Sequence, residues 1–409
     1  MATTRQSSSA QQPYACVIGD LSMVRALGRA GIPVALVTDT LETRAVHSRY
    51  SKAIVQTPSW VDNPDAAVDA LIEWGKRQVE APILFYQGDH DLVALSKARE
   101  RLEPHFRFIF PPQELVADFS DKLRFADLVE QRDLPVPRTL TLKQHCNVTK
   151  LLADWDDFPC VFKPAMRTNW YETIGCLQKA LRIESRSELV DLIPKIDVSN
   201  AAFVLQASIE GGEENIVSYH AYIRPGGEIV AEFTGQKVRT GPRLYGISSC
   251  VEITDDERVR NLGRSVVEKL DFSGVLKIDF KIDSRSGELF MLEINPRFNL
   301  WHHPAAVAGV NIPQAVYQDC IEEGSAEISR TVRPGVRWIE LGLDFMAYRE
   351  YHADGDLPLL TWLRELATAD VNEGFCWRDP KPGILGIACR IKRNFHKRVL
   401  RRQNVAECG

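Results

Sequence analysis

The sequence predicts an α/β (α+β) protein of more than one domain, on three observations. The chain is 409 residues long and 44% hydrophobic, enough for two or three separate cores. Its start reads strand, turn, helix, strand, the succession of a parallel sheet. Near residue 280 the pattern changes to two alternating stretches around a short turn, a β-hairpin.

The parallel unit runs through Tyr14–Ile18, the turn Gly19-Asp20, a helical stretch Ser22–Ala30 closed by Gly31, and Val34–Thr38. Ile54–Val55 is a third candidate strand. Asn63-Pro64 supplies an N-cap with Pro at N1, opening a helix to about Val79. Ile83–Tyr86 is a strand ending in Gln87-Gly88-Asp89, and Phe106–Phe110 closes the series. Residues 13–115 thus form a Rossmann-like half. A single Gly follows the first strand instead of G-x-G-x-x-G, which argues against a nicotinamide cofactor.

The next part spans about 116–330, with an internal division near 200. Ser120 caps a helix that begins at Lys122 and ends before Leu134-Pro135-Val136-Pro137. Pro159–Pro164 is a short strand whose single lysine, Lys163, sits in apolar company. Such a lysine either meets an anion or points to solvent. Ser185 and Glu188 form a capping box for a helix across Leu189–Ile193. Phe203–Ile209 is a strand, followed by a glycine-containing acidic turn to Glu213-Glu214. Arg224-Pro225-Gly226-Gly227 marks a hairpin between Asn215–Ile223 and Glu228–Phe233. A loop with Lys237, Arg239 and Arg243 follows, and three cations there can bind a carboxylate or phosphate, or stay solvated. Thr254–Leu270 is an amphipathic helix.

In the hairpin Gly274–Phe298, side chains repeat with period 2, so Glu293 and Asn295 share a face. Asp279 can join them across the pair, with Lys277 on its face and Arg297 just beyond. Two carboxylates and an amide oxygen suit Mg²⁺, with Mn²⁺ as the alternative. His302 and His303 follow without other soft ligands nearby, which disfavours zinc. Trp338–Tyr348 and Leu357–Leu366 look helical. Residues 331–409 read as a helical extension ending in a basic amphipathic tail, Ile391–Arg402, which is either a solvated helix or a contact for an anionic surface.

The pattern D-F-x₁₂-E-I-N-P-R, from Asp279 to Arg297, resembles the metal-binding end of the ATP-grasp superfamily. The resemblance extends to S-D-K-x-x-F at Lys122, the strand lysine Lys163, and the turn from Gln206 to Glu214, in that order. It implies an ATP-grasp fold with an N-terminal Rossmann-like (pre-ATP-grasp) domain, most like carboxylate–amine ligases of the D-aspartate ligase kind. By that resemblance Lys122, Lys163 and Arg167 contact the nucleotide, and Gln206, Ser208 and Ile209 edge the adenine. Glu213 takes the ribose, with Glu214 its rival. Asp279, Glu293 and Asn295 hold the metal. Arg297, Lys277 and Arg239 serve the chemistry. Gly19, Asp20, Gln87, Gly88, Asp89, His302 and His303 line the substrate site, the histidines as base or as packing. The loop after Lys163 departs from the family, having no Gly before Gly175.

The implied activity joins a small carboxylate to an amine at the expense of ATP, through an acyl phosphate. ATP-driven carboxylation, carbamoyl-phosphate chemistry and a non-catalytic nucleotide-binding subunit are the alternatives. A net charge of −5 argues against a nucleic-acid partner. Nine scattered cysteines without C-x-x-C suit a reducing compartment. The polar, disordered residues 1–12 carry no signal core, and no run reaches the ~18 apolar residues of a membrane span. The expectation is a cytoplasmic protein, a homodimer by the resemblance.

Overall fold

The computed structural model describes residues 12–142, 155–164, 181–192, 203–243, 246–322 and 331–386. The first of its three sheets is parallel. β1 (Ala15–Ile18) lies between β2 (Val34–Thr38) and β4 (Ile83–Tyr86), and β3 (Ser51–Gln56) flanks β2. All of β1 and β4 is buried, as expected of strands covered on both faces. The connecting helices are α1 (Leu21–Arg29), α2 (Pro64–Gly75), α3 (Asp89–Lys97) and α4 (Arg99–Leu102). Two details differ from expectation. The stretch 106–110 forms only an isolated bridge from Arg107 to Ile83. Asn63 stands at the N-cap of α2, but its side chain makes no capping bond.

Two helices lead to the second sheet, α5 (Gln113–Ser120) and α6 (Lys122–Gln131). Asp121, not Ser120, caps α6: its carboxylate accepts from the Leu123 and Arg124 amides at 2.8 and 3.3 Å. Ser120 ends α5 and donates back to the Val116 carbonyl. The second sheet is small and antiparallel. Its strands β5 (Thr139–Leu142), β6 (Cys160–Pro164), β7 (Leu181–Ile183) and β8 (Phe203–Ala207) pair in the order β5-β8-β6-β7. Stacked Phe162 and Phe203 rings, 5.0 Å apart, sit in its core. α7 (Arg186–Leu192) begins as expected, with the Glu188 amide on Ser185 Oγ. Arg167 lies outside the described residues.

The third sheet is the frame of the molecule. β9 (Ile216–Ile223), β10 (Ile229–Gly241), β11 (Ile247–Thr254), β12 (Gly274–Ile282) and β13 (Leu289–Asn295) are antiparallel, in the order β13-β12-β9-β10-β11. β14 (Arg337–Ile339) and β15 (Val371–Asn372) extend it beyond β11. One face of β9 and β12 is apolar: Tyr219, Ala221, Leu276, Ile278 and Phe280 pack against α8 (Glu257–Leu270). Period 2 then turns Ser218, His220, Lys277 and Asp279 to the other face. Gly287, with φ of 73°, makes the β12–β13 turn.

Several expectations are corrected here. The cationic loop is strand: Gly235 to Gly241 belongs to β10, and β11 continues to Thr254. Asp256 therefore caps α8 in place of Thr254, accepting from the Arg258 and Val259 amides. Beyond β13 come α9 (His302–Val307) and α10 (Ile312–Glu322). Trp338 and Ile339 are strand, not helix; α11 (Leu341–Ala353) begins only after Glu340, which caps it through the Leu343 amide. α12 (Leu359–Thr368) follows.

The last described segment is tied back to the first sheet through buried charge. Arg25 of α1 donates to the Glu373 carbonyl at 2.9 Å and to Asp379 at 3.2 Å. The Glu373 carboxylate lies 2.9 Å from both His303 Nδ1 and Trp338 Nε1. Burial alone would raise this carboxyl; His303 and Arg25 overcome it and hold it at about 2, against an ordinary 4.5. A depressed carboxyl stabilises the fold fully above 4.5 and loses that contribution as pH falls towards 2. The shift is worth about 3 kcal/mol. Urea unfolding should therefore show the wild type losing ~3 kcal/mol more than Glu373→Gln over that window.

Candidate active site

The polar face of the large sheet is built around Asp279. This carboxylate is buried, and three groups from three strands meet on it. Ser218 Oγ of β9 donates to Oδ1. Lys237 Nζ of β10 and Lys277 Nζ of β12 donate to Oδ2, at 3.2 and 2.8 Å. Burial would push the Asp279 carboxyl up, but the two ammoniums hold it well below the carboxylate range. Burial pushes Lys277 down, opposed by Asp279. At Lys237 burial works the same way, and the negative charges of Asp279 and Glu293 outweigh it, so its pKa is raised. Two cations against one buried anion leave an excess positive charge here. The Lys277 ammonium also lies 5.4 Å from the Trp301 ring. Trp301 can lie there because residue 235 is glycine: an added Cβ would come 2.5 Å from its ring.

Across the hairpin, Asp279 pairs directly with Glu293 and Lys277 with Asn295. The three proposed metal ligands are therefore neighbours but not equivalent. Glu293 is exposed, whereas Asp279 sits behind it, committed to its lysines. Asn295 Nδ2 donates to Glu293 at 3.1 Å. Among the described residues no cluster of three or more His, Cys, Asp or Glu is arranged to hold an ion.

The small sheet faces this edge. Lys163 Nζ donates to Gln206 Oε1 at 3.0 Å, and Gln206 Nε2 donates to Thr139 Oγ1 at 3.0 Å. Burial pushes the Lys163 ammonium down, and the charge of Glu293 opposes it. Lys163, Gln206, Glu293, Asn295 and Lys122 all line one cleft of about 1250 Å³. At the hinge after β8, the Ser208 amide is already used by the Pro159 carbonyl. Its hydroxyl accepts from Arg182 at 3.0 Å. Ile209 is buried, and its backbone groups have no partner among the described residues. Glu213 and Glu214 part company: Glu213 is buried and accepts from Thr240 and Tyr351, while Glu214 is exposed beside Lys281.

From the first sheet, Asp89 reaches the same place. Arg297 Nε and Nη2 both donate to its carboxylate, the second at 3.3 Å, and Nη2 also reaches Asn295 Oδ1 at 3.3 Å. Two groups assigned separate roles by sequence are thus an ion pair. Gly19, Asp20, Gln87 and Gly88 stand at the same strand ends. The Asp20 carboxylate caps α1 through the Ser22 amide at 2.9 Å, and its own amide donates to Gln87 Oε1 at 2.6 Å. The Gly88 amide donates to Asp91 at 2.8 Å.

Three expected site residues are placed elsewhere. Arg239 does not face the chemistry. The β10–β11 register slips on either side of it, which turns its guanidinium onto Asp344 (2.9 and 3.0 Å) and Glu365. His302 is fully buried among Phe298, Phe233 and His220, and burial lowers its pKa to about 3. Its ring packs within this aromatic cluster. His303 is spent on Glu373. In return the structure adds Ser218, Thr240 and Tyr351, and it places Lys237, one of the three cations read from sequence, against Asp279. Strand alternation would have put Lys237 on the Asp279 face had 235–241 been read as strand; Tyr351 left no local signal.

No family model matches the sequence. The chain is 23% identical over 284 residues to a D-aspartate ligase of Enterococcus faecium (strain Aus0004), covering 66% of this chain and 68% of that one. It superposes on N5-carboxyaminoimidazole synthetase from Staphylococcus aureus complexed with ADP, with a TM-score of 0.59 at 13% identity, over 83% of this chain and 86% of that one. L-amino acid ligase from Bacillus licheniformis gives a TM-score of 0.56 at 15% identity, over 80% and 78% of the two chains. The chain has the ATP-grasp fold. In this fold the second and third sheets lie on either side of the cleft, and Lys163 and Glu293 both line it because each sheet supplies one.

The Asp279 cluster makes a direct prediction. Asp279→Asn leaves two ammoniums in a buried space without their anion. Removing one partner of a buried charge pair costs about 3–5 kcal/mol. Chemical denaturation of the variant should show a loss of that order, whereas the exposed Glu293→Gln should change stability by less than ~1 kcal/mol.

Proposed function

We propose that the chain is an ATP-dependent carboxylate–amine ligase. The observation that carries this is the surplus of positive charge around Asp279, set behind Glu293 and Asn295 and faced by Lys163 from the opposite sheet. A triphosphate lying between the sheets meets Lys163 on one side and Lys237 and Lys277 on the other. Ile209 offers its free backbone groups to the adenine edge, and the exposed Glu214 is better placed for the ribose than the occupied Glu213. The D-aspartate ligase and L-amino acid ligase likenesses agree with this reading.

Mg²⁺ is part of the proposal. The fold implies it, and the donors fit: one exposed carboxylate and one amide oxygen suffice for an ion that takes most of its shell from phosphates and water. Glu293 and Asn295 would hold it, with Asp279 behind them. When bound, it neutralises charge on the transferring phosphoryl group.

The protein's own residues do the rest. Lys163, Lys237 and Lys277 draw the γ-phosphate and the acceptor carboxylate together against their mutual repulsion. A carboxylate oxygen attacks the γ-phosphorus, the bond to ADP breaks, and an acyl phosphate forms. An amine nitrogen then attacks the acyl carbon, phosphate departs with the bond electrons, and the amine proton passes to solvent or phosphate. Arg297 stands at the mouth, where it can stabilise the tetrahedral oxyanion once released from Asp89. None of these steps needs a covalent enzyme nucleophile, and His302, neutral and sealed in, takes no part.

ADP release should require Mg²⁺, one carboxylate and one amine together. The measurement is a coupled ADP assay across acids crossed with amines, with bicarbonate included. Glu293→Ala should lower turnover at least ~100-fold, as does the loss of a major electrostatic contributor. Release driven by bicarbonate alone would replace ligation with carboxylation. The homodimer is checked by sedimentation of the same preparation.

A further inference from the structure

The buried carboxylate of Glu213 sits where the hinge turn enters β9, and it is held from two directions. Thr240 of β10 gives its amide at 3.2 Å and its hydroxyl. The third donor, the Tyr351 hydroxyl, comes from α11 in the C-terminal part of the chain. α11 is itself pinned to the large sheet. Asp344 takes two of the three Arg239 bonds, the Ser249 hydroxyl at 3.0 Å and the Trp362 indole at 2.8 Å. Asp344 and Tyr351 are seven residues apart, two helical turns on one face, about 10 Å along the axis. Fixing the first thus aims the second. Arg243, at the end of β10, covers the Tyr351 ring at 4.4 Å and pairs with Asp354 and Asp356 at 2.6 Å each.

We propose that Tyr351 is a positioning residue of the nucleotide site: by holding Glu213 it sets the turn that presents Glu214, and the strand that presents Lys237, to the bound nucleotide. The C-terminal segment is then a working part of the nucleotide site. Three donors on one buried carboxylate fix the turn between the hinge and β9, and Glu214 is the next residue along. Thr240 lies three residues after Lys237 on the same strand, beyond the register slips, so the Glu213 contact also anchors the end of that strand. The charge of Glu213 acts on Lys237 directly.

This rests on the nucleotide site proposed above, so the test reads nucleotide binding without turnover. ADP is titrated by calorimetry into the full-length wild type, Tyr351→Phe, Glu213→Gln and the double variant, and the melting point of each free protein is recorded. Tyr351→Phe should bind ADP about tenfold more weakly with its free melting point unchanged. The double variant should be no weaker than the weaker single variant, because both act through one contact. Wild-type affinity in Tyr351→Phe, additive losses, or a loss that only tracks a lower melting point would each overturn the proposal while leaving the nucleotide site intact. A wild type that binds no ADP would overturn both. Should Tyr351→Phe fail to fold, Arg243→Gln removes the guanidinium over the ring but none of the Glu213 donors. It should weaken ADP in the same direction by a smaller factor, and full affinity there counts against the proposal.

Discussion

A carboxylate buried between two ammoniums is the constraint on which the rest of the large sheet depends. Asp279 cannot be left alone in an apolar interior, nor can Lys237 or Lys277. Each removes the penalty of the others, and together with Ser218 they bind β9, β10 and β12 into one polar face. The apolar face of the same strands packs on α8. The sheet is therefore specified twice, by hydrophobic packing below and by charge pairing above. A one-residue slip of β12 would expose Ile278 to the lysines and bury Asp279 against α8, so the register admits little error.

That arrangement explains which parts could be read without coordinates. The period-2 alternation from Val275 to Asn295 places Asp279, Glu293 and Asn295 on one side, and the hairpin register brings Asp279 opposite Glu293. The β2 and β4 strands were equally legible, because fully buried parallel strands are bounded by turn residues at both ends. The cationic stretch after Phe233 was not. Its glycines and mixed charges look like a loop, and only pairing with β11, 11 to 14 residues away at its centre, makes it a strand. Arg239 fails for a finer reason. Alternation puts it beside Lys237, and the register slips undo that inference by turning it to Asp344. A bulge is a property of two strands, invisible in one.

The C-terminal segment was the least legible part, and it is more integrated than helical periodicity implies. β14 and β15 lie in the large sheet, Glu373 and Asp379 hold Arg25 of the first sheet's leading helix, and Tyr351 reaches Glu213. The Arg25 and Tyr351 contacts each span more than a hundred residues of chain. Long-range pairs of this kind have no signature in local composition, since a buried Glu and a solvated Glu look the same in a sequence. The histidine pair shows the converse. His302 and His303 draw attention by type, yet one is packing and the other serves a structural carboxylate.

Under the proposed ligase reading, the Arg297–Asp89 pair, finally, is a built-in rival for the acid substrate. On that reading Arg297 receives a carboxylate, and it already holds one, from the first turn of α3. An anion bound by Arg297 on that reading displaces Asp89, which is then left facing the cleft with its charge exposed. A substrate that carries a cation beside its carboxylate can satisfy both halves of the broken pair at once; one that carries only the carboxylate satisfies half. The proposed ligase would then favour a zwitterion, and would discriminate by exchange of partners instead of by the shape of an empty hole.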